Sequence, residues 1–189
     1  MQQTEIERNK ELARRYYSEL WDHGKLELAE ELVALNHVDH NPPIPGRGGG
    51  REDVIHHIKV FREGFPDLRI SIDELVAEGD RVVERVTMRG THLGPFLGIA
   101  PTGKYVEVTG VNVCRIEDGK VAERWGMTDS MGMLQQLGLF PEADGPAWQG
   151  MIQMSNAYIY GSRLLEKARP ALPVVGLAIL ALLFKRRRS

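Results

Sequence analysis

The residues able to do chemistry lie in three short stretches. Asp129 closes a run in which Val121, Glu123, Trp125 and Met127 alternate like one face of a strand, and a Met-, Leu- and Gln-rich run that suits a helix follows it. At such a junction an aspartate is a good helix cap. Held against Trp125 and Met127, a carboxylate would instead have a raised pKa and suit proton transfer near neutral pH. The two readings are compatible. His92 stands in "GTHLG", at the end of a strand pattern whose Val82, Val86 and Met88 share its parity. Asn36, His37 and His40 stand in "LNHVDHNPP", ahead of a proline-rich loop.

Other chemistries find less support. His37, His40, His56 and His57 make a histidine-rich set, but no ligand pattern such as H-E-x-x-H occurs, so no metal site is expected. Ser130 and Ser155 lack the motif of a nucleophile elbow. The glycines of "GRGGG" follow prolines rather than a strand, unlike a phosphate-binding loop.

The elements that must position these residues follow from periodicity. A helix is expected from about Glu5 to His23, with Thr4 and Glu7 as a capping box, and a shorter one from Leu26 to Leu35. A third should run from Arg51 to Gly64, with Val54, Ile55, Ile58 and Phe61 on one side. From Leu68 the period changes to two. Two strands around Glu78-Gly79-Asp80 and two more around Asp118-Gly119 predict an antiparallel sheet with one apolar face. Helices first and sheet second make an α+β architecture.

With 189 residues, 42% hydrophobic and 26% charged, the chain has the composition of a globular protein with room for one domain and an appendage. The net charge is −2, and four of the 24 basic residues crowd into Lys185–Arg188, so the body is more acidic still. That argues against nucleic-acid binding. One cysteine, Cys114, permits no intrachain disulfide, and the polar N-terminus has no signal-peptide core. A cytoplasmic protein is expected.

Three stretches carry a family resemblance: "YYSELWDHGKLELAEELVALNHVDHNP", "FREGFPDLRISIDELVAEGDRVVERVTMRGTHLGPFLGIAPTGKYVEV" and "VCRIEDGKVAERWGMTDSMGMLQQLG". Together they resemble the SnoaL-like polyketide cyclases, also called ester cyclases, of the nuclear transport factor 2-like superfamily, over about Ile6 to Gly138. The resemblance implies a cone, in which a curved antiparallel sheet wraps around N-terminal helices and holds a deep apolar pocket. It implies a reaction without cofactor, in which an aspartate near the end of the last strand removes an acidic proton and the enolate closes a ring by intramolecular aldol addition. Asp129 is similar to that aspartate. His92 and His40 match positions near the pocket, with roles in orienting substrate or stabilising the enolate oxygen. Trp125, Met127, Val86, Asn36 and Tyr16 are expected to line the substrate site. A homodimer is implied as well, through the outer sheet face that carries Val83, Thr87 and Val111.

The expected division is a cyclase-like domain over 1–140, a helical extension over 141–169 containing a helix from Ala147 to Arg169, and an apolar tail over 170–189. The run from Pro170 to Phe184 would make a helix of about 22 Å, short against a hydrocarbon core of about 30 Å. It has no polar face and ends in "KRRR". Membrane association through this tail is the expectation, with a helix packed on the protein as the alternative. Two further functions stay open: a carrier of small apolar ligands, and a membrane-tethered interaction module.

Overall fold

Two periodicities, helical before Leu68 and alternating after it, become two kinds of element wrapped around each other. The computed structural model describes residues 2–141 and 145–156. Helix α1 (Gln2–Arg15) continues into a π-helical stretch, Tyr16–Asp22. The wider π turn keeps Tyr16, Tyr17, Leu20 and Trp21 all on the buried side. Because α1 begins at Gln2, Thr4 lies inside its first turn rather than ahead of it. A single turn, Leu26–Leu28, and the short α2 (Ala29–Leu32) follow.

The expected helix to Leu35 is corrected at this point. Val33–Asp39 is a strand, β1, paired in parallel with the last strand of the sheet. Helical spacing over so short a segment is a weak preference, and an open sheet edge supplies backbone partners that override it. The Arg51 guanidinium donates to the Val33 carbonyl at 3.0 Å, and the Gly50 N–H donates to that of His37 at 2.6 Å. Helix α3 (Arg51–Gly64) spans the expected residues.

Strands β2 (Arg69–Glu78), β3 (Arg81–Thr91), β4 (Tyr105–Glu117) and β5 (Lys120–Thr128) form antiparallel hairpins, and α4 (Ser130–Gln136) ends the unit. At the tight turn between β4 and β5, Asp118 and Gly119 both have positive φ, the geometry a two-residue hairpin requires. The five strands are ordered β1-β5-β4-β3-β2 in one curved sheet, antiparallel except for β1 against β5. It is the α+β architecture expected, with the sheet wrapped about the N-terminal helices.

A bulge in β5 decides which residues face inward. Arg115 and Ile116 are neighbours on β4, yet they pair with Glu123 and Val121, which leaves Ala122 as an extra residue. Val121 is buried in the core, and beyond the bulge the inward residues are Arg124, Gly126 and Thr128. The expectation that Val121, Glu123, Trp125, Met127 and Asp129 share one face is therefore corrected. One inserted residue reverses strand parity.

The core has two parts. One packs Tyr16, Leu20, Val54 and Ile58 of the helices against Val82, Cys114 and Val121 of the sheet. The other gathers Phe65, Leu68, Phe96, Val106 and Leu137 at the opposite end. The chain divides into two compact units, Met1–Phe140 and Pro141–Ser189. Of the second unit, residues 146–156 are helical. The rest of the expected helix to Arg169, and the tail over 170–189, lie outside the described residues. Among the described residues, no helix is long and apolar enough to cross a membrane.

Candidate active site

A cavity of about 460 Å³ opens between the two parts of the core. Tyr17, Trp21 and Phe61 form its helical wall, and Ile70, Val86, Met88 and Val108 its sheet wall. Pro42, Pro43, Leu97 and Ile99 reach it from loops, and Met133 and Leu134 from α4. The helical and sheet walls draw on both core clusters, between which the curved sheet leaves space. The lining is mostly apolar, as small-molecule sites generally are.

The polar part of the lining is concentrated on β4 and β5. The Arg124 guanidinium donates to Asp39 Oδ2 at 2.8 Å and to Asn112 Oδ1 at 2.7 Å. The Arg124 and Asp39 side chains are only 11% and 5% exposed, so this is a buried ion pair. Asp39 is fixed in turn, since its Oδ1 accepts from the Asn41 N–H at 3.0 Å. Burial opposes the charge on Arg124, but Tyr17, Tyr16 and Asp39 around it more than offset this, and its pKa is raised. Arg124 bonds the carbonyl oxygen of the Asn112 amide, and Asn112 is one of the residues that line the cavity. Gly126 makes the arrangement possible. It stands opposite Asn112 in the ladder, and a methyl group there would overlap the Arg124 guanidinium.

Beside this floor, on β3, lies Glu84, the ladder partner of Asn112. It is fully buried; the Cys114 thiol lies against its carboxyl, and neither oxygen has a nitrogen or oxygen hydrogen-bond partner among the described residues. Burial pushes its pKa up to about 8, although the Cys114 thiol and Arg124 act in the other direction. Near neutral pH Glu84 is thus mostly the uncharged acid.

The residues singled out from the sequence are dispersed. Val86 and Met127 line the cavity, Met127 at its mouth with 71% of its surface exposed. Asp129 is exposed and caps α4, its Oδ1 accepting from the Gly132 N–H at 2.8 Å. Its neighbours Thr128 and Ser130 both line the cavity. Tyr16 is packed into the core, and Tyr17 takes the lining position. His92 is buried against Phe65, ring centroids 5.3 Å apart, and its Nδ1 accepts from the Thr102 N–H at 3.3 Å. Asn36 is exposed on β1. His40 and Trp125 stack on each other at 4.3 Å, away from the cavity lining, with Arg81 at 5.3 Å on Trp125. Among the described residues, no group of three or more His, Cys, Asp or Glu is placed to hold a metal ion.

Sequence reasoning passed over Asp39, Asn112, Arg124, Tyr17 and Trp21. One signal was present. On β4 the inward positions read Val106, Val108, Gly110, Asn112, Cys114 and Ile116, and on β3 Val82, Glu84, Val86 and Met88. A lone polar residue in each apolar phase marks the level at which the floor is polar.

A helix-lined curved sheet that encloses a largely apolar cavity, with a buried charge pair at its floor, defines a small-molecule site on a nuclear transport factor 2-like scaffold. The chain belongs to the SnoaL-like polyketide cyclase family, whose model matches residues 11–137. Among curated proteins it is similar to the aklanonic acid methyl ester cyclase DnrD of Streptomyces peucetius, with 26% identity over 125 residues, covering 64% of this chain and 84% of that one. Among solved structures it is similar to a polyketide cyclase-type protein of Bacillus cereus, with TM-score 0.64 and 31% identity over 74% of this chain and 87% of that one. IdmH of Streptomyces antibioticus, of the same type, gives TM-score 0.61 and 34% identity over 69% of this chain and 98% of that one. Membership of this family supports a cyclase role.

Proposed function

We propose that the protein is an ester cyclase that closes a ring in a hydrophobic carbonyl or ester compound without a cofactor. The observation that carries this reading is the polar floor of an otherwise apolar cavity: Arg124 takes the carbonyl of cavity-lining Asn112, so the NH₂ of that amide is the group left to meet a ligand in this reading. A substrate carbonyl lying on that amide would gain hydrogen bonding as negative charge develops on its oxygen during enolisation. Asp129, between cavity-lining Thr128 and Ser130, is the proton-transfer group of this reading. Turned from the Gly132 N–H towards the mouth, its carboxylate would take the acidic C–H proton. The carbanion then adds to a second carbonyl of the same molecule, and the proton returns to the new alkoxide. Bonds and charge balance within the substrate. Val86 and Met127 contribute apolar surface, and His92, through Thr102, positions the loop that carries Leu97 and Ile99.

The test is turnover of polyketide-type β-keto methyl esters, beginning with aklanonic acid methyl ester because of the similarity to DnrD. Asp129→Asn keeps a good helix cap. It should abolish ring closure and leave ligand affinity within about twofold. A carrier of apolar ligands is the second reading, favoured by the exposed, cap-forming Asp129. Binding of such esters with no turnover by the parent protein, and no change in Asp129→Asn, would establish it.

Two further expectations belong with this reading. Val76, Val83 and Val111 are exposed on the sheet, which supports a second copy packing there; a monomer mass by light scattering at micromolar concentration would exclude it. Membrane attachment through residues 170–189 is tested by fractionating the full chain beside one ending at Arg169. If both stay in the detergent-free supernatant, the tail is no anchor.

A further inference from the structure

The proposed reaction makes no use of Glu84, yet few sites in the molecule are so unusual for a charged residue type. It projects from β3 to the concave side at the level of the cavity floor, and Asn112, its ladder partner, accepts from Arg124. The Glu84 carboxyl has only the Cys114 thiol against it, Arg124 Nε has no hydrogen-bond partner among the described residues, and the Tyr17 hydroxyl lies beside the Arg124 guanidinium. Arg124 thus engages Nη1 with Asp39 and Nη2 with Asn112, while its Nε–H makes no such bond. Buried donors and acceptors left open in this way are costly, and each is a place where a change of charge can redirect a bond.

The groups facing Glu84 are few. From β4 comes the Cys114 thiol, from β5 the Arg124 guanidinium, and from the π-helical stretch the Tyr17 hydroxyl. Asp39 faces Arg124 from the far side. Across the ladder on β2 stands Leu75, which is apolar. Burial holds the thiol and the phenol above their ordinary values, so both stay protonated where Glu84 titrates. Among the described residues, Arg124 is then the one cation that an ionised Glu84 would meet.

We propose that Glu84 is a positioning residue for the cavity floor: uncharged, it leaves Arg124 on Asn112 and Asp39, and ionised, it draws the free Nε–H of Arg124 and loosens its hold on Asn112. Released from Arg124, the Asn112 amide can turn its oxygen to the cavity, where it repels a ligand carbonyl. The acidic form of Glu84 therefore keeps the site in its acceptor-binding state. This rests on the reading of Asn112 as a donor to ligand oxygen, and the two are tested separately.

The first measurement needs no ligand. The Arg124 Nε–H resonance is followed by NMR from about pH 6 to about pH 10, across the value of about 8 for Glu84. In the parent protein it should move with a single titration near that value, as the N–H gains a carboxylate partner. In Glu84→Gln, which cannot ionise, it should stay fixed. A resonance that does not move in the parent, or moves equally in the variant, overturns the proposal.

The second measurement is binding of methyl 1-naphthoate, an apolar aromatic ester, read by tryptophan fluorescence over the same range. Affinity should fall about tenfold through the titration in the parent and stay level in Glu84→Gln. An equal fall in both proteins counts against Glu84. If the ester fails to bind the parent at any pH, the donor-floor reading fails while the NMR titration still decides the role of Glu84.

Discussion

Strand β5 carries two ion pairs on successive residues, built under opposite conditions. Inward, Arg124 meets Asp39 with both side chains almost fully buried, and the Arg124 Nε–H has no partner among the described residues. Outward, Glu123 receives Arg115 on one oxygen and His40 on the other, both at 2.7 Å, with a quarter of its side chain exposed. Water supports the outer pair when a partner is lost. Nothing replaces a partner lost from the inner one. The difference separates the face of the strand that lines the cavity from the face that meets solvent.

The comparison breaks most visibly at Arg124. Arg124→Met removes the cation and leaves Asp39 buried without its partner, so unfolding should become easier by about 3–5 kcal/mol in urea. A loss below about 1 kcal/mol would mean that water reaches the inner pair as freely as the outer one.

Glu84→Gln should act in the opposite direction. Its folded pKa of about 8 stands above the unfolded value of 4.5, so the folded chain holds a proton that the unfolded chain has lost. Stability present below the unfolded value therefore declines as pH rises and levels off above the folded value. The variant should be more stable near pH 7, by up to about 3 kcal/mol, and indistinguishable from the parent near pH 4. Urea unfolding at the two pH values checks both statements.

Gly126→Ala sharpens the comparison, because it changes no charge. The new methyl competes with the Arg124 guanidinium, and the expected loss is about 1–3 kcal/mol with weaker aromatic-ester binding. Unchanged stability and binding would show that Arg124 has room elsewhere.

Glu123→Gln should have the smallest effect, a melting temperature barely changed from that of the parent. The outer arginine and histidine hold the Glu123 carboxyl below its ordinary pKa, His40 first. What this pairing contributes is present above the unfolded carboxyl value and is lost as pH falls. A large change in melting temperature would place Glu123 with the inner group.

How much was legible in the sequence differs between these same two faces. Periodicity gave α3, the hairpins and the inward set Val82, Val86 and Met88 of β3, because each lies in an uninterrupted run of one period. Strand β1 was hidden because "VALNHVD" has no strong alternation, and its partner is the distant edge of β5. The inward face of β5 was hidden by one residue: with Ala122 extruded, Trp125 turns outward onto His40 and Arg124 turns in. Local patterns carry no record of such an insertion. Glu84 and Asn112 were readable, as polar residues in an apolar phase, but a single such residue does not say what it faces.

The most direct test of the account is a crystal structure with an aromatic β-keto ester bound. The account predicts the ester in the concave cavity, its ring against Val86 and Trp21 and a carbonyl oxygen within hydrogen-bond distance of Asn112 Nδ2. An ester stacked on the outer face at Trp125, or one bound in the cavity with Asn112 Oδ1 turned towards it and Arg124 disengaged, would contradict the account.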